Sequence, residues 1–236
     1  MAADAHAAAD FYGTSRGTVT ARLVSERLTA MWPDLRGESV LGIGFTAPYL
    51  RLWHDQATRC IALTPAQMGA TRWPADAPSL SCTAEEDALP FPDLTFDRVL
   101  LVHGLEAAES ARRLLRETWR VLKDDGRLVV VAPNRSSIWA YRESTPFGHG
   151  QPYSFGQIGR LLAASLYRVE RRDTALYMPP SNWRLVLRGA RLLERTGRNW
   201  LPGFAGVTIT EAVKDMYAAM PVEAVPRRRL IVAEPA

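Results

Sequence analysis

The chain has 236 residues and a formal net charge of +4, with 47% hydrophobic and 23% charged residues. These values are typical of a globular protein and exclude a disordered, collagenous or coiled-coil chain. A chain of this length buries enough surface to fold without disulfides or metals, and we expect one domain. Arg, Asp or Pro interrupts every apolar run before it is long enough to cross a membrane.

The amino terminus and the cysteines indicate where the protein works. The first ten residues are rich in alanine and lack the basic and apolar parts of a secretory signal. We expect residues 1–13 to form a flexible tail or lid and residues 14–236 to form the domain. Cys60 and Cys82 lack the close spacing of a zinc or redox pair, which predicts free thiols and a cytoplasmic location, with peripheral membrane contact as an extension.

The first half of the domain alternates helical and strand patterns. Apolar residues at helical spacing predict helices over residues 14–31 and 105–123. Short apolar runs predict buried strands over residues 39–43, 60–63, 96–102 and 128–132. Alternation of this kind predicts an α/β fold with a parallel sheet, whose ligands bind at the carboxyl ends of the strands.

The pattern changes after residue 133. We expect a polar loop over residues 149–154, a helix capped by Ser154 that continues through Tyr167, and a strand over residues 168–176. Residues 207–213 alternate apolar and polar side chains, as an edge strand does, and residues 229–233 are an alternative for that role. We therefore divide the domain into a core of residues 35–135, an elaboration of residues 136–206, and an edge strand and tail of residues 207–236.

The turn after the first predicted strand is rich in glycine. Gly42, Gly44 and Ala47 match the dinucleotide-binding pattern G-x-G-x-x-G/A. Glycines at such a turn let the backbone approach a nucleotide closely. This pattern by itself leaves a nucleotide-dependent oxidoreductase open as one interpretation.

Two longer segments indicate a more specific family. Residues 85–93 (EEDALPFPD) with residues 96–101 (FDRVLL), and residues 115–123 (LRETWRVLK) with residues 126–128 (GRL), stand in this order along the chain. They resemble the segments DAxxLPFPDxxFDxV and LxExxRVLKPGGRL of class I S-adenosylmethionine (SAM) dependent methyltransferases, in particular the ubiquinone/menaquinone methyltransferase-like branch. The resemblance covers about residues 38–135. It implies a Rossmann-like, mostly parallel seven-stranded sheet with helices on both faces, and SAM as the cofactor.

The resemblance also implies which residues meet the cofactor. These are Gly42, Gly44, Phe45, Thr46, Thr64, Glu85, Glu86, Val102 and His103, with Glu85 or Glu86 accepting from the adenine amino group. The chain departs from the family where Gly42 replaces an acid, where Thr46 and Pro48 stand at glycine positions, and where Thr64 replaces the acid that binds the ribose. Loss of one charge-assisted hydrogen bond costs about 1.5–3 kcal/mol, or about 10–150-fold in affinity.

Methyl transfer requires alignment of an acceptor with the methyl group, and a base where the acceptor atom carries a proton. His103, His149 and Tyr153 are the candidate bases, and the scattered histidines and cysteines predict no metal site. The main hypothesis is a SAM-dependent methyltransferase acting on a small-molecule or lipid-like acceptor. The alternative, suggested by the departures at the turn, is a non-catalytic binding or regulatory module that keeps the fold without productive use of SAM.

A run of arginines lies outside the core. Their spacing of four, three, four and three residues puts them on one side of a helix. They are Arg184, Arg188, Arg191, Arg195 and Arg198. This face is typical of an ordinary solvated helix, and it also suits an acidic surface such as anionic lipid or protein. Nucleic acid ranks lower, because the basic face has no interleaved aromatic residues.

Overall fold

The computed structural model describes residues 4–216, which fold into a three-layer α/β structure. Its seven strands form one sheet in the order β3-β2-β1-β4-β5-β7-β6. They are β1 (Ser39–Gly44), β2 (Arg59–Pro65), β3 (Ser81–Ala84), β4 (Phe96–Val102), β5 (Leu122–Pro133), β6 (Tyr167–Ala175) and β7 (Val207–Lys214). The strands β1 to β5 pair in parallel, and β7 is antiparallel to both of its neighbours. The predicted fold class is confirmed.

Seven α-helices lie along the described chain. They are α1 (Ala5–Gly13), α2 (Ser15–Met31), α3 (Ala47–Leu50), α4 (Ala111–Val121), α5 (Phe155–Ala164), α6 (Arg184–Arg188) and α7 (Ala190–Trp200). The first turns of several helices are capped by side chains. Thr14 accepts from the backbone of Gly17 at the start of α2, and Ser154 forms a capping box with Gln157 at the start of α5.

The central strands are apolar on both faces because helices cover both faces of the sheet. One cluster includes Trp53, Leu100 and Trp139, and a second includes Phe96, Leu115 and Val130. Alternate residues of β4 and β5 therefore enter opposite clusters. This double burial makes the carboxyl ends of β1, β2 and β4 a rigid edge on which a site can be built.

A cluster of hydrogen bonds holds the segment over residues 89–93 against α4. The Arg120 guanidinium donates to the backbone oxygens of Leu89 and Phe91 and to the carboxylates of Asp93 and Glu117, at 2.7–2.9 Å. Glu117 Oε2 also accepts from the Leu89 backbone at 3.0 Å. The two segments that carry the family resemblance thus bind each other, and we call this contact the Arg120 clamp.

The structure corrects the boundaries of three predicted elements. Residues 5–13 are a helix rather than a flexible tail, because Ala5, Ala8 and Phe11 are buried against the protein. The helix predicted over residues 105–123 begins only at Ala111, after a turn, and ends at Val121. The helix capped by Ser154 ends at Ala164, and Tyr167 already belongs to β6.

The strand predicted over residues 207–213 is confirmed as β7 (Val207–Lys214), but its predicted position at the edge of the sheet is wrong. The strand β7 lies between β5 and β6, and its polar residues Thr208, Thr210 and Glu211 are buried. Glu211 Oε1 accepts from the Trp32 indole N–H at 2.8 Å there, and Glu211 Oε2 forms an ion pair with Arg127 at 3.4 Å. The edge strand on this side is β6, whose arginines suit an exposed edge. The alternative over residues 229–233 lies outside the described residues.

The arginine-rich segment is also not one continuous helix. Gly189 separates α6 from α7. Two of the five arginines bind the protein itself, Arg191 to Glu26 at 2.8 Å and Arg198 to Asp173 at 3.1 Å. The single cationic face predicted from the spacing is therefore reduced to the remaining three arginines.

Candidate active site

The turn after β1 is bonded to the end of β4. Gly44 has a φ of +91°, and a Cβ atom there would collide with the backbone oxygen of Val102. The Phe45 backbone N–H donates to that same oxygen at 2.9 Å. Glycine is therefore required at position 44 by the contact between two parts of the protein.

The space above this turn is filled by protein side chains. Phe45 is 5% exposed and packs with Ala5 and Ala8 of α1 and with Met68, which follows β2. Its ring also stacks on Tyr12, with centroids 5.5 Å apart and planes 13° apart. The helix α1 therefore covers the carboxyl ends of β1 and β2.

The threonines predicted to meet the cofactor are enclosed as well. Thr46 is 1% exposed and its hydroxyl has no partner in the described structure, whereas Thr64 is 2% exposed and lies 3.5 Å from the hydroxyl of Thr71. Neither hydroxyl faces an open cleft. Their assignment to the cofactor stays a prediction.

The two glutamates proposed for adenine differ in their surroundings. Glu86 is buried, and its carboxylate accepts from the Gln67 side chain at 2.9 Å and from the backbone N–H groups of Glu109 and Ser110 at 3.1 and 2.6 Å. These bonds join the β2 loop to the start of α4. Glu85 is exposed to solvent. Glu85 is therefore the glutamate whose carboxylate is open to a ligand.

His103, directly after β4, belongs to a buried chain of hydrogen bonds. Its Nδ1 lies 3.1 Å from Glu106 Oε1, and its Nε2 lies 2.8 Å from the Tyr12 hydroxyl, which in turn lies 2.9 Å from the Tyr49 hydroxyl. We assign the proton to Nδ1, because an ionised Glu106 can only accept. Tyr12 then donates to Nε2. Burial, the nearby Tyr49 and Glu106 raise the pKa of Tyr12 well above its usual value, so Tyr12 stays neutral.

His103 also has an unusual backbone conformation. Its φ is +57°, in the left-handed region that costs a non-glycine residue free energy. This conformation points a histidine that is 1% exposed toward α1. Glu106 was missed by the sequence analysis, although its position three residues after His103 was a usable signal.

A cavity of about 240 Å³ lies beside His103. Its wall combines α1, the loop after β5 and the residue Met68 after β2. The lining residues are Asp4, Ala7, Ala8, Phe11, Met68, His103, Glu143, Ser144, Thr145, Pro146 and His149. The structure thus brings His103 and His149, two of the three predicted bases, to one cavity.

Tyr153, the third predicted base, is not part of this cavity wall. It is half-buried and its hydroxyl donates to the Leu105 backbone oxygen at a long 3.5 Å. Burial and the nearby Glu106 raise the pKa of Tyr153, which makes it a weaker acid than a free tyrosine. Its role as a base stays a prediction.

SAM does not fit the turn while α1 stays in this position. Eight of the nine residues that the resemblance assigns to the cofactor are buried, and Glu85 is the exposed one. Of the buried eight, His103 lines the cavity. The cavity is also smaller than the about 300–1,000 Å³ of ordinary small-molecule sites. Entry of an adenosine requires that α1 and the Phe45 ring move.

The described structure also bears on metal-ligand clusters and on membrane-spanning helices. Within residues 4–216, no three metal-ligating side chains come together. Within the same residues, no helix is long and apolar enough to cross a membrane. Cys60 and Cys82 are free, and burial raises the pKa of the Cys60 thiol to about 12.

Comparisons with known proteins agree with the fold. Residues 40–130 match the family described as "Methyltransferase domain". An uncharacterised protein of Mycobacterium tuberculosis is 32% identical over 108 residues, which cover 43% of this chain and 38% of the relative. The ubiquinone/menaquinone biosynthesis C-methyltransferase of Pasteurella multocida is 48% identical over 48 residues, or 20% of this chain and 18% of that protein. The matches thus span less than two fifths of these curated relatives.

A solved structure extends the similarity beyond the matched segment. The SAM-dependent methyltransferase of Archaeoglobus fulgidus superposes with a TM-score of 0.57 at 19% identity and covers 87% of this chain and 96% of its own. At this identity, the superposition is evidence for the fold alone. Residues 40–130 thus match a methyltransferase domain, and the seven-stranded sheet has the fold of class I SAM-dependent methyltransferases, in agreement with the two sequence motifs.

Proposed function

We propose that the protein is a SAM-dependent methyltransferase that acts on a small-molecule or lipid-like acceptor. The observation that carries the proposal is the contact between His103 Nδ1 and Glu106 Oε1, next to the cavity that α1 covers. A buried histidine held by a carboxylate, with strained backbone, is an arrangement typical of active sites. When bound, SAM supplies an electrophilic methyl group, so the protein's own task is to orient the acceptor and take up its proton.

His103 is suited to take up a proton at Nε2. Glu106 holds the proton on Nδ1 and stabilises the charge that forms when Nε2 is protonated. Tyr12 occupies Nε2 in the described structure. Movement of α1 removes Tyr12 from Nε2 and Ala5 and Ala8 from Phe45, so one motion exposes the base and opens the turn.

The cavity favours an acceptor that is mainly apolar. Ala7, Ala8, Phe11, Met68 and Pro146 form much of its wall. Polar or charged residues also line the cavity, namely Asp4, His103, Glu143, Ser144, Thr145 and His149. Apolar walls bury a ligand, and the polar groups among them orient it. This supports a small or lipid-like acceptor rather than a charged polymer.

Calorimetric titration of the full chain with SAM and with S-adenosylhomocysteine tests the proposal. We expect both to bind, NAD to remain silent, and Glu85→Gln to weaken binding more than Glu86→Gln does in the folded protein. Hydrogen exchange should rise over residues 5–13 when SAM is added and stay unchanged at the Arg120 clamp. Binding without change over residues 5–13 would contradict the role of α1.

A non-catalytic module is the second candidate function. The packing of Phe45 with Ala5, Ala8 and Met68 favours it, because this packing closes the turn with the protein's own side chains. The absence of a carboxylate at Thr64 points in the same direction. For such a module we expect no heat with SAM, S-adenosylhomocysteine or NAD(P), and this outcome would replace the methyltransferase proposal.

A further inference from the structure

The helix α7 is oriented with its apolar face away from the protein. Ala190 and Glu194 are buried on its inner side, whereas Leu192 is 69% exposed. Glu194 accepts from the Tyr177 backbone at 2.6 Å, and burial raises the pKa of its carboxyl group. Gly197 lets the helix approach the Tyr177 ring, since a Cβ atom there would collide with it. A surface helix ordinarily buries its leucines and exposes its glutamate, so this orientation needs an explanation.

The leucine belongs to a larger exposed surface. Seven of the thirteen exposed large hydrophobic residues in the described chain fall within residues 183–204. We define the α6–α7 patch as Trp183, Leu185, Leu192, Trp200, Leu201 and Phe204, together with the arginines Arg184, Arg188 and Arg195. Four of its apolar side chains, Trp183, Leu185, Leu192 and Trp200, are more than two-thirds exposed. Scattered apolar side chains are normal on a surface, but clustered ones mark interaction sites.

The patch is also strongly cationic. Residues 183–204 contain five arginines and one acidic residue, Glu194, so their formal charge of +4 equals that of the whole chain. The acid faces inward. Arg191 and Arg198 are neutralised by Glu26 and Asp173, whereas no ion pair forms at Arg184, Arg188 or Arg195 within the described residues. The outward surface therefore presents unneutralised cations among apolar side chains.

We propose that the α6–α7 patch docks on an anionic lipid surface. A lipid interface offers acyl chains to leucine and phenylalanine, anionic headgroups to arginine, and the boundary between them to tryptophan. The patch has all three kinds of side chain, with Trp183 and Trp200 just before α6 and at the end of α7. Its side chains lie on the exposed sides of α6, α7 and the turn after α7, so it suits a surface that needs no complementary shape.

The patch is linked to the cavity beside His103. Arg16 donates to the backbone oxygen of Ser144, a cavity residue, at 2.9 Å and to that of Pro180, shortly before α6, at 3.3 Å. Docking through the patch would therefore hold the loop of the cavity near the lipid. The docking proposal does not depend on methyl transfer, since it rests on the patch alone.

Vesicles of phosphatidylcholine with and without phosphatidylglycerol test the proposal with the full chain. We expect the protein to sediment with the anionic vesicles, to be released by salt, and to remain in solution with the neutral ones. Tryptophan emission should shift to the blue on binding, because Trp183 and Trp200 are 76% and 79% exposed. The other five tryptophans are buried or half-buried, so Trp183→Phe/Trp200→Phe should abolish most of the shift.

Two variants separate the apolar and cationic contributions. We expect Arg188→Gln/Arg195→Gln to weaken vesicle binding roughly tenfold or more, and Leu185→Gln/Leu192→Gln to weaken it while keeping its salt dependence. The matched control is Arg112→Gln/Arg116→Gln, which removes the same charge from exposed positions of α4. Circular dichroism should show all three variants folded, because these side chains are exposed.

Two outcomes would overturn the proposal. One is equal binding by the parent, the two patch variants and the α4 control. The other is a dimer in the absence of vesicles that Leu192→Gln converts to monomer. That result would show that a second copy of the chain covers the patch, and light scattering measures it directly.

Discussion

The Arg120 clamp and the turn after β1 belong to the same domain, yet they differ in what their residues do. At the clamp, a guanidinium, two carboxylates and three backbone groups are paired. At the turn, Phe45 and α1 fill the space, the Thr46 hydroxyl has no partner, and His103 holds a strained φ. The polar groups of the clamp are paired with each other, whereas the turn is covered by the side chains of Phe45 and α1.

This difference separates evidence for fold from evidence for activity. Glu117 and Arg120, two of the residues that carry the family resemblance, hold the segment over residues 89–93 on α4. Their charged groups pair with each other and with the backbone of residues 89 and 91. Three of the four residues that depart from the family, Gly42, Thr46 and Pro48, lie at or beside the turn after β1, and the fourth, Thr64, lies in β2. The motif therefore predicted the fold, while the proposed function depends in large part on the turn after β1, which the motif does not include.

The largest effect in this comparison is expected at the clamp. Arg120→Ala should lower the free energy of unfolding by about 2 kcal/mol, because it leaves Glu117 and two backbone oxygens without their donor at a half-buried site. Urea unfolding measures the change. The matched control is Arg113→Ala on the same helix, whose single ion pair with Asp87 is exposed, and it should change stability by less than about 0.5 kcal/mol. Equal losses in the two variants would show that the clamp has no special role.

At the turn, we expect a substitution to raise the affinity for SAM. Tyr12→Phe removes the bonds from α1 to His103 and Tyr49, so it should cost about 1 kcal/mol of stability and favour the open position of α1. SAM should then bind about fivefold more tightly, because less of the binding energy is spent on opening. Calorimetry measures both proteins, with Tyr141→Phe, an exposed tyrosine, as the control. Unchanged affinity would show that α1 does not compete with SAM.

The smallest expected effect is a pH dependence at the clamp. Hydrogen bonding from Arg120 lowers the pKa of Glu117 in the folded protein. The folded state then binds the proton less readily than the unfolded state, so this stabilisation is present above the unfolded pKa and is lost as the pH falls through the folded one. When the pH is lowered from neutral to acidic, the urea midpoint should fall less for Glu117→Gln than for the parent. Identical slopes would rule out this contribution.

The sequence predicted the strands better than the helix boundaries. The strand over residues 96–102 was predicted at its observed limits, because a continuous apolar run leaves few other solutions. The helix over residues 105–123 was predicted six residues too early. Apolar residues such as Leu105 are buried by contacts with the sheet and not by a helical face, and periodicity does not distinguish these two causes.

The candidate site was predicted only in part. His103 and His149 were two of the three candidate bases, and they do line one cavity. Tyr12 was not chosen as a site residue, because its bond to His103 joins residues 91 positions apart in the chain. The buried position of β7 was missed for the same kind of reason, since the satisfaction of Glu211 by Trp32 depends on a contact across 179 positions.

The sequence by itself determined the α/β class, the resemblance to a methyltransferase domain and the positions of the central strands, because these follow from local apolar runs and from motifs of adjacent residues. The tertiary structure decided that α1 covers the turn after β1, that His103 is held by Glu106 and Tyr12, and that α7 turns its leucines outward. Each of these depends on which surfaces meet after folding. Contact between distant segments leaves no periodic signal in the chain, so only the folded arrangement shows it.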